Sequence, residues 1–319
     1  MPKKKILICG ASGFIGQNLI EHFGSLNEYE TYGTYFKNKP KIFNSRVIQA
    51  DLRDKDKAMQ VTQNMNIVIN AAAMTDGIGV FSEEKRALDY AEANNQINAN
   101  LSETAHLNGI RHFIFLSCTV MYPSSDIPLS EDGVDMKRVH PKYAVPAEMK
   151  IFGEERCRYF SDLDSTKYTV IRHTNIYGPH DKFDLKRGHV LSATIEKAMT
   201  LKDNKEIVVW GRGQESRDFL YIEDLADFIR TAIELQKTGF EIFNVGSGKI
   251  YSINKLVKII VACSGKKLKI IHDPAKPTVE TQMNICVEKA RLVLGWQAKT
   301  ELDEGILKTI EWYKQNHPR

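Results

Sequence analysis

Five cysteines (Cys9, Cys118, Cys157, Cys263 and Cys286) are scattered along 319 residues without one Cys-x-x-Cys pair. That spacing offers no zinc module and no disulfide framework, so the chain reads as a protein of a reducing compartment. Long apolar runs are missing too. The longest, such as HFIFLSC, fall far short of the about 20 residues that span a bilayer, so no membrane partner is expected. The start, MPKKKILICG, has three lysines but no apolar stretch or cleavage site behind them, and reads as a first strand. An excess of one charge is absent: 44 Lys and Arg against 40 Asp and Glu leave +4, which demands no nucleic-acid partner. No metal-ligand spacing, internal repeat or low-complexity linker occurs. These absences leave a soluble, cytoplasmic globular protein of one large or two modest domains.

What is present is an alternation of two periods. KKILICG, YETYGTY, RVIQA, NIVINAAA, HFIFLSC and YTVIRHT are short runs of strand formers. Helical runs such as FIGQNLIEHF and DKDKAMQVTQNM separate most of them. That rhythm predicts parallel βαβ units, hence an α/β fold built on a doubly wound Rossmann sheet. The longest connection runs from about Ser82 to Gly109, which reads as a helix C-cap. Beyond Asn175 the rhythm loosens into NIYGPHDKFDLKRGH, a polar stretch of the length that is usually functional. A helix near Val190–Thr200, the strand EIVVW, the amphipathic INKLVKIIVACSG, the strand KLKIIHD and a helix ending near Trp312 follow. We expect a dinucleotide-binding domain over 1–175 plus roughly 213–243. A smaller C-terminal α/β substrate domain takes 176–212 and 244–319.

Gly10-Ala11-Ser12-Gly13-Phe14-Ile15-Gly16 lies between an apolar strand and a helical run. Glycines there allow a tight turn and let backbone N–H groups approach a pyrophosphate at a helix N-terminus. Asp51-Leu52 ends the third strand, where a carboxylate could meet an adenine amino group. Ala71, Ala72 and Ala73 end the fourth, leaving room for a dinucleotide. The second strand ends without an acid to hold a ribose 2′-hydroxyl. Lys37 and Lys39 stand there instead, which suits a 2′-phosphate unless they merely solvate a loop. NADP(H) is therefore the expected cofactor, with NAD(H) the alternative.

GASGFIG, ADL, NAAA, Asn94, Lys150-Ile-Phe-Gly-Glu, RHTNIYGP and RDFLYIED together resemble the extended short-chain dehydrogenase/reductases, in their nucleotide-sugar epimerase/dehydratase branch. TNIYGPHDKFDLKRGHV, VVWGRGQESRDF, FNVGSG and DPAKP are similar to the GDP-L-fucose synthase type. The resemblance covers essentially the whole chain. It implies a homodimer that uses NADPH to epimerise and reduce a GDP-4-keto-6-deoxy-hexose. It also implies a catalytic Tyr-x-x-x-Lys, whose two groups share one helix face. Here Lys150 matches the lysine, but four residues before it stands Pro146. Tyr143 lies seven before, about 10.5 Å along a helix axis. Either the helix begins at Pro146 and Tyr143 folds back from the preceding loop to act as the acid, or Tyr143 is a packing residue.

The resemblance places Cys118 at the hydroxyl that polarises the ketone, with Thr119 beside it as a substitute. Val120 stands where the family's epimerase cysteine would be, and His189 matches its histidine. Asn175, Lys197, Trp210 and Arg217 fall on positions that hold or cover the nucleotide diphosphate. Gln282-Met283 replaces a basic pair. The sequence thus supports a 4-keto-sugar reductase first and a bifunctional epimerase-reductase second. A non-catalytic nucleotide-sugar sensor on the same fold is the rival of another class.

Overall fold

A computed structural model describes residues 2–40, 46–75, 84–276 and 278–317. Seven strands form the main sheet: β1 (Lys4–Cys9), β2 (Tyr29–Tyr35), β3 (Arg46–Gln49), β4 (Ile67–Asn70), β5 (His112–Cys118), β6 (Lys167–His173) and β10 (Phe240–Val245). All pair in parallel, in the order β10-β6-β5-β4-β1-β2-β3. The strand order reverses between β1 and β4, the crevice at which open sheets of this kind bind ligands. The expected Rossmann sheet is therefore the observed one.

The strands read as nearly unbroken apolar runs because both of their faces are buried. Ile6, Ile8, Ile69, Ile114 and Leu116 pack on one side with Phe23 of α1 (Phe14–Ser25) and Phe228 of α6 (Ile222–Leu235). Leu7, Val68, Phe113 and Phe115 pack on the other. There they meet Val61 of α2 (Lys55–Thr62), Leu101 of α3 (Glu84–Leu107) and Phe160 of α4 (Ala144–Ser161). The long helix ends as expected at Gly109, whose φ is 61°. Residues 82 and 83, where the sequence would begin it, lie outside the described residues.

The remaining elements pack at the C-terminal edge of the sheet. β7 (Asn175–Tyr177), β9 (Ser216–Tyr221) and β11 (Ile250–Ser252) form a three-stranded sheet, and β8 (Glu206–Trp210) pairs with β12 (Lys269–Asp273). Helices α5 (Val190–Thr200), α7 (Ile253–Ser264), α8 (Glu288–Leu294) and α9 (Leu302–Asn316) cover them. Leu191, Leu256, Ile260 and Ile306 join the cluster of Ile6 and Ile8, so one core runs through both parts. Among the described residues, no helix is long and apolar enough to cross a membrane.

Candidate active site

The glycine turn is sterically obligatory. Gly10 has φ 82°, and a Cβ there would sit 2.7 Å from Ala72 Cα and 2.9 Å from Ala71 O. A Cβ on Gly16 would meet the Gly10 carbonyl. The chain can therefore pass from β1 into α1 directly beside the end of β4. Asn70 fixes that end, donating to Asn98 Oδ1 at 3.0 Å and accepting from the Ala72 N–H at 3.2 Å. Gly13 begins α1 without a side-chain cap, and the first turn holds no acidic residue. Its orphan N–H groups suit a pyrophosphate, and Ser12, Phe14 and Ile15 stand in the same turn and first helical residues. The donor set and the space thus fit a dinucleotide.

At the ends of β2 and β3, Asp51 accepts from Arg53 at 2.9 Å (Nε) and 2.6 Å (Nη2), which holds its carboxyl below the ordinary carboxylate range. Arg53 lies 5.1 Å from the Phe36 ring centroid, and the Lys37 ammonium lies 5.4 Å from the same ring. Two cations thus stand near one aromatic ring where an adenosine ribose would end. Arg53 was not singled out from the sequence. Its adjacency to Asp51 in Asp-Leu-Arg was the only signal available. Leu52 is buried, and Ala73 is exposed.

Lys150 is placed by close packing. Gly153, three residues on, presses α4 onto Phe115, whose ring a Cβ would strike. The Lys150 ammonium lies 5.2 Å from the same ring and donates to Leu116 O at 2.7 Å. This holds a cation at the C-terminal end of β5, beside partly buried Cys118 and buried Thr119. Burial lowers the Lys150 pKa and raises that of Cys118, while the ammonium pulls the thiol back down. One turn later Glu154 accepts from Ser117 at 2.5 Å and from Arg172 at 2.6 Å.

The expected helix start needs correction: α4 begins at Ala144, not Pro146. Proline sits third in the helix, where its missing N–H leaves no hydrogen bond unmade. Tyr143 does precede the helix, closing a 3₁₀ turn over Pro141–Tyr143. No hydrogen bond joins its hydroxyl to Lys150, whose ammonium is held by Leu116 O. Tyr143 borders the apolar cluster of Met121, Tyr122, Val139, Ala147 and Ile285, and its ring lies 5.9 Å from that of His140. Among the described residues its hydroxyl has no hydrogen-bond partner.

His189 is the exposed residue before α5. The loop that carries it is clamped to α1, through Asn18 donating to Pro179 O at 2.8 Å, and to α9, through Phe183 stacked on Trp312. Lys197 donates to Val208 O at 3.3 Å and lies 5.5 Å from the Trp210 ring. Lys276 lies 6.0 Å from that ring, and Trp210 is 46% exposed. Arg217 is less free than the sequence suggested. Its Nη1 donates to Ser216 O at 2.8 Å and to Thr281 O, and its Nη2 to Val279 O at 3.0 Å. Asn175 donates to Asp218 O at 3.0 Å.

One residue the sequence reading passed over stands among these groups. His173 ends β6 in register with Cys118. Its field is shared with Lys150 and His189. Only the strand pairing reveals it.

The profile of the NAD dependent epimerase/dehydratase family matches residues 6–246. The chain belongs to that family. A curated relative, the GDP-L-colitose synthase of Yersinia pseudotuberculosis, is 30% identical over 97% of both chains. The GDP-L-fucose synthase of Sinorhizobium fredii is 28% identical over 98% of this chain and 96% of its own. The GDP-mannose 3,5-epimerase of Arabidopsis thaliana is 29% identical over 98% and 82%. Among solved structures, UDP-glucose 4-epimerase of Thermotoga maritima superposes with a TM-score of 0.85 at 23% identity, covering 98% of this chain and 99% of its own. As an epimerase/dehydratase-family member the chain is an NAD(P)-dependent epimerase or oxidoreductase, and the resemblance read from its motifs holds.

Proposed function

We propose that the chain uses NADPH to reduce the 4-ketone of a nucleotide-linked deoxy sugar, of the GDP-4-keto type. The observation that carries this is the Lys150 ammonium, pinned to Leu116 O beside Cys118 and Thr119, on the same strand edge as the glycine turn. The names of the relatives favour GDP as the nucleotide and an epimerase or synthase reaction. Residues 1–175 with 213–243 form the dinucleotide part. Residues 176–212 and 244–319 form the sugar-nucleotide part.

Gly10, Ser12, Gly13, Phe14, Ile15 and Gly16 cradle the cofactor pyrophosphate. Lys37 and Arg53 meet a ribose 2′-phosphate, which favours NADPH over NADH. When bound, NADPH supplies the hydride for the ketone carbon. Lys150 and the Thr119 hydroxyl stabilise the charge that develops on the ketone oxygen. Tyr143, on the turn that leads into the helix of Lys150, gives that oxygen its proton. Lys197 and Lys276 flank the diphosphate while Trp210 covers the nucleotide. Arg217, through its carbonyl bonds, holds the 279–281 segment against them. Asn175 and His189 contact the sugar side.

The test is NADPH oxidation with GDP-4-keto-6-deoxymannose, followed by a panel of UDP-, CDP- and dTDP-4-keto sugars. Steady turnover with one of them, lost in Lys150→Met, is the expected result. Cofactor binding without turnover on the whole panel would instead support a sensor.

A further inference from the structure

We infer that His173 is the base that removes a proton from the sugar carbon next to the ketone, which makes the enzyme an epimerase as well as a reductase. This rests on the 4-keto-sugar reading above. Position 120, where the family resemblance expects a proton-transferring cysteine, is valine and cannot do this work.

Four observations place His173 there. It ends β6 directly opposite Cys118 at the end of β5, and in a parallel pair such partners leave the sheet on the same face. As a residue it is only partly buried, at the C-terminal end of its strand. Its Nδ1 lies 2.8 Å from Thr174 O. A carbonyl can only accept, so Nδ1 carries the hydrogen and Nε2 keeps its lone pair. The groups that act on the ring are Lys150 from α4 and His189 from the start of α5. Burial pushes its pKa down to about 4, and Lys150 adds to that, so the ring stays a neutral acceptor at neutral pH.

The step balances as follows. Nε2 of His173 takes the proton from the carbon beside the ketone, and the C–H electron pair moves into the ring as an enolate. The former ketone oxygen takes the negative charge and is stabilised by the Lys150 ammonium. Reprotonation of that carbon by His189 inverts it and restores the ketone, and solvent resets both imidazoles.

The experiment follows deuterium uptake into GDP-4-keto-6-deoxymannose in D2O, without reductant, by mass spectrometry and proton NMR. His173→Asn is the informative variant: its amide can still donate to Thr174 O, while Nε2 is gone. Melting temperature, NADPH binding and NADPH-dependent reduction are read in parallel. Exchange by the wild type that falls at least about 100-fold in H173N supports the inference, provided melting and NADPH binding are kept. Equal exchange in both proteins overturns it and leaves the reductase reading intact. Reduction by the wild type without any exchange overturns it in the same way. Neither exchange nor reduction on the whole nucleotide panel overturns the substrate reading and this inference with it.

Discussion

Glu154 and Arg172 form a buried ion pair, 2.6 Å between Oε2 and Nη2, that ties the helix of Lys150 to the ends of β5 and β6. Arg172 also donates to Tyr122 OH at 2.9 Å and Glu131 O at 2.6 Å, and Glu154 accepts from Ser117 at 2.5 Å. Every partner is hydrogen-bonded, so the pair survives its desolvation. Removing one member strands the other charge. Arg172→Met should cost about 3–5 kcal/mol in chemical denaturation. Glu154→Gln, which keeps the shape and an acceptor, should cost less.

Gly10→Ala introduces a Cβ 2.7 Å from Ala72 Cα at a φ that side chains avoid. The turn must move to accept it. NAD(P)H affinity, read by fluorescence titration, should fall at least about tenfold, equivalent to about 1.4 kcal/mol.

Arg53 holds Asp51 and stacks on Phe36 beside Lys37. Arg53→Ala should lower affinity for NADPH by about ten- to a hundredfold, the worth of a charged hydrogen bond. NADH affinity should change little. Equal losses for both cofactors would show that Arg53 acts only by positioning Asp51.

Tyr143→Phe should reduce kcat for ketone reduction by about 100-fold or more while NADPH affinity is kept. Unchanged turnover would make Tyr143 a packing residue and move the proton to another group.

His112 is buried against Thr169 at 2.7 Å, and burial lowers its pKa to about 3. The unfolded chain takes up this proton near pH 6.5, while the folded chain resists it down to about pH 3. Stability is therefore unaffected above pH 6.5 and falls progressively as the pH drops below it. His112→Gln should lose less stability than the wild type between pH 6.5 and 4 in thermal melts.

The main sheet was legible because six of its strands announce themselves as short apolar runs, and Gly10, Gly16 and Gly109 mark where the chain turns. Those signals are local. Arg217 shows what is not: its carbonyl partners at Val279 and Thr281 lie more than 60 residues away. His173 is invisible for the same reason, since its meaning comes from pairing with Cys118 across the sheet. Pro146 misled by two residues, because proline is tolerated through the whole first turn of a helix and not only at its first position. Lys276, just beyond β12, meets Trp210 because β12 pairs with β8, and this too needed the fold to be seen.

The most direct measurement is the absorbance of NADPH when purified protein meets GDP-4-keto-6-deoxymannose and its UDP, CDP and dTDP counterparts. Steady oxidation with at least one keto sugar, abolished by Lys150→Met, is the predicted result. Tight NADPH binding with no oxidation on any of them would contradict the account.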